Sequence, residues 1–173
     1  MEYEFTLKYQ LDAADCHVDD LIERLGAAGC DDALIGTGQA GQLGLKFSRE
    51  AGSAKEALRS ALEDIRGTIP TAKLVEAGPD FVGLTDVAEL MGMSRQNLRK
   101  LMVTNPATFP LPVHEGSSGI WHLADLLGWL QEKEYAVEEG MVEVAQTTRQ
   151  LNLLKELQRL PAEIDGEMRK LLA

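Results

Sequence analysis

Arg95, Gln96, Asn97, Arg99 and Lys100 put three cations and two side-chain amides into six consecutive residues, with no acid among them. These groups suit base edges: a guanidinium pairs with O6 and N7 of guanine, a glutamine amide with N6 and N7 of adenine. Lysine and serine suit phosphate oxygens. On this reading Gln96 takes an adenine edge and Arg95 or Arg99 a guanine edge, while Lys100 and Ser94 hold phosphates. Thr85 and Asn97 complete the polar set on the helices, and His114, Ser117 and Ser118 add contacts from a turn further along. The partner these residues ask for is double-stranded DNA.

Other chemistry is less well supplied. His17, His114 and His122 fall in different elements, and no nucleophile or metal-ligand set accompanies them, even if His114 and His122 face each other across a hairpin. An enzyme is therefore not expected. Cys16 and Cys30 are the only thiols; with His17 they sketch a partial metal site, but there is no CxxC pair and no fourth ligand. Two unpaired structural thiols in a reducing compartment are expected, with no disulfide and no metal. Gly36-x-Gly38-x-x-Gly41 matches the dinucleotide-binding spacing, but residues 42–47, directly after it, alternate like a strand. That fingerprint has to open a helix, so the glycines predict a hairpin tip and no cofactor.

The polar cluster needs a rigid mount, and residues 84–102 provide one. Val87, Ala88, Leu90 and Met91 are the apolar positions of a first short helix, with Thr85 as its N-cap and Gly92 as its stop. Ser94 caps a second helix, 94–103, in which Leu98, Leu101 and Met102 share one face. The cations and amides lie opposite. Residues 109–114 then form a proline-punctuated extended segment, 115–119 a turn, 120–122 a strand, and 123–132 a helix with Leu126, Leu127, Trp129 and Leu130 as its apolar contacts. A basic helix held by its apolar back is what reading the major groove requires.

The stretch from about 82 to 133 resembles the MerR-like excisionase (AlpA-type) DNA-binding domains. The resemblance is carried by Val87 to Ser94, Phe109 to Pro112, Gly116, Trp121, Asp125, Trp129 and Leu130 in that order and spacing. It implies a winged helix-turn-helix spanning 80–135 and covers roughly a third of the chain. One departure stands out: that family's wing is usually basic, whereas this turn holds Glu115 and two serines with no Arg or Lys. Wing contacts fall to Ser117, Ser118, His114 or His122.

Residues 1–78 predict a second unit. Tyr3, Phe5, Leu7 and Tyr9 alternate with polar residues as in a half-buried strand. Val18, Leu21, Ile22, Leu25 and Ala28 mark a helix closed by Gly29; residues 33–35 and 43–47 read as strands. Ser53 and Glu56 form a capping box ahead of a helix with Leu58, Ala61, Leu62, Ile65 and Ile69 in period, and 72–76 is a last strand. The order βαββαβ is that of a ferredoxin-like fold, and it leaves room for a small-molecule effector that nothing in the sequence names. Gly78-Pro79 is the hinge. The expected class is α+β.

Residues 136–173 form a C-terminal segment in which 137–160 predict a long helix after a break at Gly140. One stripe holds Met141, Val144, Thr148 and Leu151, and a second holds Leu153, Leu157 and Leu160; Pro161 ends it and a short segment, 162–173, comes after. An isolated helix would leave too much leucine exposed, so a homodimer through this segment is expected over folding back onto the same chain.

Charge is the main argument against DNA. The chain carries −11 overall, and residues 84–135 hold four Lys/Arg against six Asp/Glu. Such a binder has modest affinity per protomer and a shallow salt dependence. The alternative is an adaptor or antitoxin-like module whose acidic surface binds a protein. No apolar run approaches the ~18 residues of a membrane span, and the acidic start of the chain is unlike a secretion signal, which predicts a cytoplasmic protein.

Overall fold

Tyr3, Phe5, Leu7 and Tyr9 turn one face of β1 (Glu2–Gln10) into the core and leave the intervening polar residues on the other. In the computed structural model, which describes residues 1–15, 17–160 and 170–171, the chain is a mixed α+β protein. β1 runs antiparallel to β3 (Gln42–Glu50) from Glu2 opposite Glu50 to Gln10 opposite Gln42. Its other edge pairs with β4 (Lys73–Gly78), and β2 (Ala33–Gly36) pairs with β3, so the four-stranded sheet has the order β2-β3-β1-β4. The glycine-rich stretch 36–41 joins β2 to β3, and Gln42 begins a strand; Gly41 takes a φ of 78° there.

Two helices cover the apolar face. α1 (Val18–Ala27) contributes Leu21 and Leu25, and α2 (Ala54–Thr68) contributes Ala57, Leu58, Ala61 and Ile65, all packed with Phe5, Leu7, Leu45 and Phe47. Phe5 and Phe47 stack with centroids 4.9 Å apart. Half of the predicted capping box forms: Glu56 N–H donates to the N-cap Ser53 Oγ at 3.2 Å, whereas the Glu56 carboxylate accepts from Gly52 N–H at 3.2 Å, one residue before the cap. Beneath α2 the buried Arg49 donates to both oxygens of Asp32, to Asp64, to Ser60 Oγ and to Gly29 O. These bonds, Asp32 foremost, hold the guanidinium pKa above its ordinary value. The uncovered face carries the ion pairs Lys46–Glu4 and Lys8–Glu76.

A second core begins after Asp80. β5 (Phe81–Val82), β6 (His114–Glu115) and β7 (Gly119–His122) form a small antiparallel sheet in the order β5-β7-β6. The sequence shows no sign of β5, because two residues cannot display a period. Against this sheet pack α3 (Leu84–Leu90), α4 (Arg95–Thr104) and α5 (Leu123–Glu132), through Val87, Ala88, Leu98, Leu126, Leu127 and Leu130 around Phe109, Trp121 and Trp129. Both indoles keep a partner at the core's edge: Trp121 Nε1 donates to Pro110 O at 3.0 Å and Trp129 Nε1 to Thr108 Oγ1 at 3.3 Å.

Thr85 is not the cap of α3. Pairing of Val82 with Trp121 ends β5 one residue before Gly83, which becomes the N-cap; its N–H donates to Asp86 Oδ2 at 2.6 Å. Thr85 is an exposed residue of the first turn.

α6 (Glu139–Arg159) corrects two further expectations. There is no break at Gly140, which sits inside the first turn and is buried; a Cβ there would lie 3.3 Å from Met1 Sδ and 3.7 Å from Tyr3, so glycine lets the helix approach β1. The helix also folds back on its own chain. Val144 joins the first core and Ala145 the second, with Thr148 and Asn152 buried between them. This uses up the first stripe. The second stays in solvent, with Leu153, Leu154, Leu157 and Leu160 each about half exposed. Pro161 and nearly all of the segment after it, like Cys16 of the sketched metal site, lie outside the described residues. Among the described residues no helix is long and apolar enough to cross a membrane.

Candidate nucleic-acid interface

Ser94 starts α4 by accepting a hydrogen bond from Asn97 N–H at 3.1 Å, and Gly92, at φ 61°, ends the preceding turn in the left-handed region that glycine tolerates. The turn between the two helices spans residues 91–94. Leu98 is fully buried, and Leu101 and Met102 pack partly against the same core. This anchors one side of α4 and sets the direction of every other side chain on it.

At 100° per residue, the side opposite Leu98 and Leu101 is centred on Gln96, Lys100 and Val103. Arg95 and Arg99 are offset toward the β6–β7 hairpin; Asn97 lies on the far flank. Ser94, Arg95, Gln96, Asn97, Arg99, Lys100 and Val103 are all exposed. Among the described residues no carboxylate lies within ion-pair distance of Arg95, Arg99 or Lys100. Three unpaired cations in two helical turns form a local positive surface on an acidic molecule.

Arg95 and Arg99 do not share one surface with all the expected residues. They line a groove of about 590 Å³ between α4 and the hairpin, together with Thr85, Ser117 and Ser118. Trp121, Phe109 and Pro110 supply its apolar floor, and Glu115 also lines it. Gln96, Lys100 and Asn97 are outside this groove. The candidate residues thus divide into a groove set and a helix-face set.

His114 is exposed at the hairpin, and a Cβ on Gly116 would lie 2.9 Å from its Nε2, so glycine makes room for the imidazole. His122 is elsewhere. It pairs with Phe81 across β5–β7, is buried, and its Nδ1 lies 2.7 Å from Asp80 Oδ1. The two histidines do not face each other, since the residue opposite His114 is Ile120. The extra strand β5 turns His122 into a structural residue and removes it from the candidate hairpin contacts.

Val103 was not among the residues the sequence singled out. Its signal was available: it stands seven residues after Gln96 and three after Lys100, on one helical face, and is 65% exposed. An apolar side chain amid the cations reads as a leftover until the buried side of the helix is known.

No family model, curated protein or solved structure matches the chain.

Proposed function

We propose that this chain is a sequence-specific DNA-binding transcriptional regulator that acts as a homodimer. In this reading residues 80–135 are a winged helix-turn-helix of the MerR-like excisionase kind, α4 enters the major groove and the β6–β7 hairpin is the wing. Residues 1–78 form a ferredoxin-like unit that carries it and leaves room for an effector. The observation that carries the reading is the exposed Arg95–Gln96–Arg99–Lys100 surface, whose cations have no carboxylate partner among the described residues, on a helix whose back is locked by Leu98.

The dimer rests on α6. With its first stripe spent on the chain's own cores, Leu153, Leu154, Leu157 and Leu160 remain as an apolar strip. A two-fold contact there presents two cationic surfaces to one duplex, while each protomer also brings its −11 charge, so the long-range field toward DNA stays repulsive. The test is selection of genome-derived DNA fragments by the purified full chain, beside Arg95→Ala/Arg99→Ala. Enrichment of a palindrome with half-sites about one turn, roughly 34 Å, or a multiple apart, weakened in the variant, supports the reading. No enrichment, with variant and wild type alike, overturns it.

A second reading, an adaptor or antitoxin-like module that binds a basic partner, is favoured by one feature. A cleft of about 460 Å³ at the hinge is lined by Glu76, Asp86 and Glu89 around the half-exposed Phe81 and Leu90. Failure to be retained on heparin or nonspecific DNA at low salt, with retention of a basic protein, decides for it.

A further inference from the structure

The division of the cations and amides into two sets bears on how the interface works, and the inference rests on the DNA-binding reading above. We propose that Gln96, Lys100 and Val103 read the bases, with Val103 seated on a thymine methyl, while Arg95 and Arg99 grip the phosphodiester backbone from the groove they share with the hairpin.

Three observations support this split. First, the angular positions set by Leu98 and Leu101 put Gln96, Lys100 and Val103 at the crest of the helix, the part that reaches deepest when a helix lies in the major groove. Second, Arg95 and Arg99 sit to one side, in a groove that is also lined by Ser117 and Ser118 of the hairpin and by the single carboxylate Glu115, so its two guanidiniums outnumber its one acid. Cations and hydroxyls lining one trough match an ester-linked phosphate chain running between helix and hairpin, and hydroxyls and arginines are the usual phosphate donors. Third, Val103 is a large apolar side chain held in water at the end of that crest. In the major groove the apolar feature of a base pair is the thymine 5-methyl, and burying a methyl there gives an exposed valine a partner.

The assignment reverses the simplest expectation, in which arginine reads guanine and lysine holds phosphate. Arg95 and Arg99 instead act as charges whose planar fork is not used for a base, so lysine should replace them. A bidentate guanine contact would not tolerate that change.

The test uses the full-length protein and the duplex it enriches most from a randomised library. Arg95→Lys/Arg99→Lys should keep both base preference and affinity within a few fold. Arg95→Ala/Arg99→Ala should weaken every duplex alike and reduce the slope of log affinity against log salt by about 1.8, two phosphate contacts at about 0.9 each. Gln96→Ala should flatten preference at one base pair and leave that slope unchanged. Replacing the contacted thymine by deoxyuridine should weaken wild type about fourfold, the equilibrium cost of one lost buried methyl, and should leave Val103→Ala unaffected. Loss of a guanine preference in the lysine variant, or equal sensitivity of wild type and Val103→Ala to deoxyuridine at every position, overturns the split and leaves DNA binding standing. If no duplex is bound by wild type, both fall together. Thermal melts matching wild type verify that these exposed substitutions leave the fold intact.

Discussion

Asn152 of α6 donates from Nδ2 to Asp80 Oδ2 at 2.8 Å, joining the last helix to the hinge between the two cores. The same amide closes a pair of hydrogen bonds with the backbone of Ala77, accepting from its N–H at 2.9 Å and donating to its carbonyl at 2.8 Å. Asp80 in turn meets His122 Nδ1, and Thr148 Oγ1, one helical turn before Asn152, donates to Pro79 O at 2.8 Å. A buried carboxylate, an imidazole, an amide and a hydroxyl thus fix the connection between the cores, and each is satisfied by its neighbours there.

Asn152→Ala leaves the Ala77 N–H and carbonyl and one Asp80 oxygen without that partner, all in a buried setting. A loss of about 2–4 kcal/mol of stability is expected from two or three buried groups left unpaired. Urea denaturation monitored by circular dichroism measures it; a loss below about 0.5 kcal/mol, the level of an ordinary surface change, would mean that the node does not hold the hinge.

Gly119→Ala probes the hairpin. A Cβ there would come within 2.4 Å of Trp121 Cη2, so the indole must move off its bond to Pro110. The expected cost is about 1–3 kcal/mol, as for other overpacked sites, with a shift in tryptophan emission. An unchanged melt and spectrum would show that Trp121 does not lie across the hairpin.

The first core was legible because its signals are periodic: Tyr3, Phe5, Leu7 and Tyr9 at period two, and Leu58, Ala61, Leu62 and Ile65 on a helical face beside an explicit Ser53–Glu56 box. The α3–α4 turn was legible from Gly92 and Ser94. The features that escaped depend on contacts distant in the chain. Val82 pairs with Trp121 nearly forty residues on, and this creates β5, moves the helix cap to Gly83 and buries His122. α6 looked like a free leucine helix because the sequence does not reveal that Gly140, Val144 and Asn152 meet β1, the first core and the hinge. Of the site, the sequence held the residue types but not the split between groove and helix face, which is set by where Leu98 packs.

Cys30 gives a pH-dependent prediction. Burial pushes its thiol up to about 11, with Asp64 and Asp32 adding to the effect and Arg49 opposing it. Because the folded state holds this proton more tightly than the unfolded state, the contribution is full below the ordinary value of 9.0 and is lost as pH rises through about 11. Between those limits wild type should lose up to about 2.7 kcal/mol more stability than Cys30→Ala, two tenfold differences in proton affinity at about 1.4 kcal/mol each. Equal losses in the two proteins would show that the thiol titrates normally.

The leucines left outside both cores make the proposed dimer testable. Leu153→Gln/Leu157→Gln should convert a dimer to a monomer in sedimentation equilibrium, with a melt unchanged or slightly raised at low concentration, because neither side chain is buried within the chain. A wild type already monomeric at high concentration would remove this strip from the interface.

Whether α4 meets DNA at all is settled most directly by binding itself. Fluorescence anisotropy of a labelled duplex, titrated with wild type and with Arg95→Ala/Arg99→Ala at low and then moderate salt, measures it. Saturable binding that weakens as salt rises, and that is weakened in the double variant at every salt concentration, is the predicted result. No binding by wild type at the lowest salt, or binding unaffected by loss of both arginines, would contradict it.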